Sequence, residues 1–174
     1  GSIDFSGLKT LVNRELKNEE FSFVLSEAKG DEEGNVTDEK EIETVRNDAD
    51  GKITFKTVEF TEETMKDENG ERVTEKTLYF TVKEAVPENR DKTVIYDSSV
   101  KLIKVVLTDD LEGNITADVE DGTNEFSFRN IVVKSKKVDI TTQKELEGAK
   151  IEIIDQETNE VIFEFISGKE ETDD

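Results

Sequence analysis

Short runs in which apolar and polar residues alternate recur along the chain, with charged, glycine- or asparagine-bearing turns between them. Phe21, Phe23 and Leu25 alternate with Ser22 and Val24. Leu78, Phe80, Val82 and Glu84 share one face of residues 76–84, and Phe126, Phe128 and Asn130 share one face of residues 126–133. Further strands are predicted over 8–12, 42–45, 52–60, 93–97, 99–108 and 115–119. Turn signals stand at Asn13-Arg14, Asn47-Asp-Ala-Asp-Gly51, Asp67-Glu-Asn-Gly70, 109–114 and Asp121-Gly122. The turn at 47–51 predicts a hairpin joining 42–45 to 52–60, while 26–40 and 61–74 are expected as charged loops. No stretch keeps a 3.6-residue period. The expected fold class is all-β: an Ig-like, Greek-key β-sandwich followed by a short C-terminal β segment.

Three polar residues break the apolar faces. Lys9 stands among Leu8, Thr10, Leu11 and Val12, Glu84 continues the face of Leu78, Phe80 and Val82, and Asn130 continues that of Phe126 and Phe128. A buried amine, carboxyl or amide requires a partner or a chemical task. Taken singly, each has an ordinary alternative: a lysine reaching to solvent, a glutamate ending its strand in water, an asparagine opening a turn.

Composition narrows the chemistry. The formal net charge of -21, from 44 acidic against 23 basic residues, excludes a nucleic-acid partner, because that binding depends on neutralising phosphates. The same charge argues against anionic membrane surfaces. With no His and no Cys, there is no thiolate, imidazole base or disulfide, and no zinc site or His-based triad of the usual kind. No cofactor or metal is expected. The turns at 48–51 and 67–70 resemble calcium loops only superficially, since Arg46, Thr57 and Met65 stand where ligands would be needed. No apolar run is long enough to span a membrane, and Gly1-Ser2 reads as a tag scar.

The order of these features resembles the isopeptide-linkage domain of Gram-positive pilins and related cell-wall-anchored surface proteins. The resemblance is carried by Lys9-Thr-Leu11-Val-Asn13-Arg14, Phe21-Ser-Phe23-Val-Leu25, Asn47 to Phe55, Tyr79-Phe-Thr-Val-Lys-Glu84, Tyr96-Asp97 and Phe128-Arg-Asn130. It departs at Asn13, where glycine is usual, a replacement that tolerates the left-handed backbone. The resemblance implies that the Lys9 amine attacks the Asn130 side-chain carbonyl, with Glu84 as the catalyst, to form an intramolecular Lys-Asn isopeptide bond. That is a single turnover of the protein on itself, not enzyme catalysis of a substrate. Burial suits it, because it can move a lysine from about 10.4 down to roughly 5–6 and a glutamate up to roughly 8–9.

The tail resembles the opening of a collagen-adhesin B-type domain. Lys137-Val-Asp139, Lys144-Glu-Leu-Glu-Gly-Ala149, Ile151 to Ile154 and Val161-Ile-Phe-Glu-Phe165 occupy the places of that pattern. Lys137 matches the reactive lysine of that family and is expected to remain a free amine. The expected organisation is a tag scar and lead-in over 1–6, a pilin-type isopeptide domain over 7–133, and an incomplete B-type domain or strand extension over 134–174. The function implied is a structural module of an extracellular, cell-wall-anchored pilus or adhesin stalk. Its partners would be neighbouring pilin or adhesin domains of the same fibre, and host surface or matrix components. The alternative is an adhesin sandwich that binds a host protein or glycan through the loops 26–40 or 61–74, although Tyr79 and Tyr96 are the only tyrosines and tryptophan is absent.

Overall fold

The computed structural model describes residues 1–30, 35–121, 123–133, 148–154 and 161–167. Its strands are β1 (Ser2–Ile3), β2 (Ser6–Val12), β3 (Ser22–Gly30), β4 (Val36–Arg46), β5 (Lys52–Thr54), β6 (Val58–Glu59), β7 (Glu75–Ala85), β8 (Val94–Ile95), β9 (Val100–Asp109), β10 (Ile115–Asp121), β11 (Glu125–Val132), β12 (Lys150–Ile154) and β13 (Val161–Ile166). A five-stranded sheet runs in the order β10-β9-β7-β3-β4 and a four-stranded sheet in the order β5-β2-β11-β8. The pairs β1-β6 and β12-β13 form two-stranded sheets. The fold is all-β and sandwich-like, with no helix among the described residues.

The chain divides into two compact units. The first comprises Gly1–Thr10, Leu16–Ala85 and Asp97–Phe128. Its core is built by the period-two faces: Phe23 and Leu25 from β3, Leu78, Phe80 and Val82 from β7, Ile103, Val105 and Leu107 from β9, and Phe126 and Phe128 from β11. Ring pairs join the two main sheets and the chain before β2, with Phe23 and Phe128 centroids 5.2 Å apart and Phe5 and Phe80 5.1 Å apart. Burying each such side chain contributes about 1.5–3 kcal/mol. Gly7 on β2 leaves room for the Phe126 ring, which a Cβ at that position would overlap.

Two expectations about this unit are corrected. Residues 26–40 are mostly strand, because β3 continues to Gly30 and β4 begins at Val36. The charged composition hid this: β4 is an edge strand with most of its side chains in water, and charge on an edge discourages pairing with other chains. The turn at 47–51 also closes no hairpin. β4 pairs with β3, while β5 pairs with β2 through Ser6↔Thr54, Gly7↔Ile53 and Leu8↔Lys52, so the turn carries the chain from one sheet to the other.

The second unit comprises Leu11–Glu15, Val86–Tyr96 and Arg129–Asp174. Here β11 pairs with β8 through Ile131↔Ile95 and Val132↔Val94, a shorter strand than the expected 93–97. Asn13 takes the left-handed conformation, with φ 73, and its Nδ2 donates to the Val132 carbonyl at 2.9 Å. β12 and β13 form an antiparallel pair, closed at one end by Ser167, whose hydroxyl accepts from Ala149 N–H. Lys137 lies outside the described residues, as do 31–34 and 168–174.

Candidate functional site

β2 runs against its own hydrophobicity. Leu8 is 51% exposed, whereas Lys9 is 2% exposed and sends its side chain into the core. The strand register fixes this inversion: Leu8 sits opposite Lys52 of β5, and Lys9 N–H donates to Gly51 C=O at 2.6 Å. The buried amine donates to Glu84 Oε2 at 2.6 Å, and both side chains are fully shielded from water. Glu84 is placed by the period-two face of β7, directly opposite Phe23 in the β3-β7 ladder. The Phe21 and Phe23 rings close over the amine, with Nζ 4.7 Å and 5.7 Å from their centroids.

Burial lowers the Lys9 pKa below its usual 10.5. The Glu84 hydrogen bond and charge oppose that shift, as do the more distant charges of Asp97 and Glu20. Desolvation disfavours a cation here more than the carboxylate rescues it. Between its lowered folded value and 10.5 the unfolded chain carries a proton on Lys9 that the folded chain lacks, so stability rises with pH across that window. In an Asn130→Ala chain, in which no Lys9-Asn130 amide can form, the thermal midpoint is expected to rise with pH towards 10.5. The rise should disappear in Lys9→Met/Glu84→Gln/Asn130→Ala, which removes the amine without leaving a buried carboxyl unpaired, and an identical pH dependence in the two chains would contradict the assignment.

The third expected residue, Asn130, is fully buried on β11, the neighbour of β2 in the four-stranded sheet. It follows Phe128 on the same alternating face, and the Phe128 ring packs on Phe23. Lys9 and Glu84 are thus brought into direct contact, and Asn130 faces inward in its own strand.

Sequence reasoning missed the support beneath the amine. Asn47 is buried with its amide fully used: Oδ1 accepts from Phe21 N–H at 2.8 Å, and Nδ2 donates to the carbonyls of Lys17 and Asp48. The signal was present in Asn47-Asp-Ala-Asp-Gly51, but a turn motif does not announce that its first residue is buried. The Asp48 carboxylate accepts from the N–H groups of Asp50 and Lys52, and Asp67 accepts from those of Asn69 and Glu71. In both, the carboxylate closes its turn as a backbone acceptor. Another missed pair is Arg72 with buried Asp109, joined by two hydrogen bonds of 2.6 and 2.9 Å that tie the segment 61–74 to the end of β9.

A family model described as FctA, a Spy0128-like isopeptide-containing domain, matches residues 5–133. The chain belongs to this family. It is therefore a pilin-type structural module, of a kind that contains isopeptide bonds, belongs to cell-surface pili and assembles with other pilin subunits; the family is structural and not enzymatic. The match leaves out 134–174, so the B-type resemblance of the tail rests on its residues alone. No curated protein matches the chain. Among the described residues, no helix is long and apolar enough to cross a membrane.

Proposed function

We propose that the chain is a structural module of a Gram-positive, cell-wall-anchored pilus or adhesin stalk, closed by a self-formed amide between Lys9 and Asn130 with Glu84 as the catalyst. The buried Lys9-Glu84 contact of 2.6 Å carries the proposal. A buried ion pair contributes little to stability once desolvation is counted, so its presence in an apolar core favours a chemical task. The adjacency of β2 and β11 and the inward alternation of Asn130 support the choice of acceptor.

Passing one proton from Nζ to Oε2 turns the ion pair into a neutral amine and a carboxylic acid, with no change in net charge. Burial of both side chains away from water brings that neutral form within reach of the resting ion pair. The Nζ lone pair then attacks Asn130 Cγ, while the Glu84 hydroxyl donates to the carbonyl oxygen and stabilises the developing oxyanion. Glu84 takes a proton from Nζ and delivers it to Nδ2. The Cγ–Nδ2 bond breaks, ammonia leaves, and the carboxyl returns to its starting state. One amide replaces another, so the balance requires no oxidant or second substrate.

The tail is proposed to belong to a B-type domain or to form a strand extension, with Lys137 at the place of that family's reactive lysine. Intact mass should therefore fall below the sequence mass by one ammonia, and Glu84→Ala should restore the full mass. A wild-type mass equal to the sequence mass would sink the proposal. Loss of a second ammonia, with Lys137 in the linked peptide, would show that the tail forms a linkage of its own.

A further inference from the structure

The turn from Asn47 to Gly51 meets the chain at two places that bear on the Lys9 amine. At one end Gly51, with φ +87, lies flat against β2. Its carbonyl accepts from Lys9 N–H at 2.6 Å, and a Cβ on Gly51 would collide with the Lys9 carbonyl oxygen and crowd a Leu16 methyl. At the other end Asn47 grips Phe21 twice, accepting from its N–H through Oδ1 at 2.8 Å and donating from its own N–H to the Phe21 carbonyl at 3.3 Å. Phe21 is the nearer of the two rings to Nζ. The Asp48 carboxylate and carbonyl close the turn between these ends through Asp50, Lys52 and Gly51 N–H groups.

One turn thus holds both the backbone from which the amine projects and the backbone that carries the ring against it. Reversing the chain alone would require neither a buried, fully bonded asparagine nor a missing side chain against Lys9. We infer that Asn47 and Gly51 are positioning residues for amide formation, setting where the Lys9 amine stands against its acceptor. The inference rests on the proposed Lys9-Asn130 reaction and adds no chemical step to it. Displacing a reacting group by about 1 Å can cost on the order of a hundredfold in rate.

Gly51→Ala and Gly51→Asn separate positioning from backbone strain, because asparagine tolerates a positive φ while its Cβ still meets the Lys9 carbonyl. The whole chain is purified as Gly51→Ala, Gly51→Asn and Asn47→Ala, and ammonia loss is followed by intact mass over time. The same substitutions are made in Glu84→Ala, which forms no bond, to record thermal midpoints. All three variants should lose ammonia at least tenfold more slowly than wild type, with Gly51→Asn as slow as Gly51→Ala. In the Glu84→Ala background, Gly51→Asn should keep a cooperative transition and a higher midpoint than Gly51→Ala. Linking of Gly51→Asn at the wild-type rate would overturn the inference, as would loss of cooperative unfolding in every variant of the unlinked background, which would make the turn purely structural. A wild-type chain that never loses ammonia would instead overturn the reaction itself.

Discussion

Lys9→Ala should lower the thermal midpoint of the domain by about 10–20 °C, the largest effect expected of any single substitution. A cross-link between Lys9 and Asn130 closes almost the whole of the family-matched segment into one loop. By analogy with a disulfide of that span, it would stabilise by about 5 kcal/mol, mainly through the entropy of the unfolded chain. Typical domains are stable by about 5–15 kcal/mol in total, so the share is large. Part of the loss in Lys9→Ala has a second source, since Glu84 is left buried without its amine. Asn130→Ala separates the two, because it removes the acyl partner and leaves the Lys9-Glu84 contact standing. The effects should not add: once the bond is absent, a second substitution removes only local packing, so the double variant should sit far above the sum of the two losses. Strict additivity, measured by calorimetry on the four chains, would show that the two residues act independently and share no bond.

The second large effect is mechanical. Pulling the chain from its two ends loads β2 and β11, so a Lys9-Asn130 amide would take the force and shield everything between. Single-molecule stretching of wild type should show no extension from that segment. Asn130→Ala should release it in a step on the order of 400 Å, at about 3.3–3.6 Å per extended residue. A full-length step in wild type would contradict the assigned pair. Such a shielded module suits a fibre that must hold under tension.

Much of this was legible in the sequence because strand geometry leaves few choices. Once Phe80 and Val82 face inward, period two puts Glu84 with them, and the same rule puts Asn130 with Phe126 and Phe128; all of these are buried. Lys9 was harder to place. Leu8 to Val12 shows no alternation, and either Leu8 or Lys9 could have taken the inward position. The register against β5 and the close approach of Gly51 decide for Lys9, and neither is visible in β2 itself. The full length of β4 is hidden in the sequence for the opposite reason: an edge strand with both faces wet has no apolar period to detect. The turn at 47–51 was recognised as a turn, but its destination was misjudged, because local residues specify a reversal and not which sheet the chain enters next. Arg72 and Asp109 are far apart in sequence, and each resembles the solvated charges that make up so much of the chain.

The most direct measurement is tandem mass spectrometry of a proteolytic digest of the folded, purified chain. A branched peptide should join the segment containing Lys9 to the segment containing Asn130, one ammonia below the sum of their masses, and it should be absent from Glu84→Ala. Recovery of both segments as separate, unmodified peptides from wild type, or a branch at any other lysine or asparagine, would contradict the account.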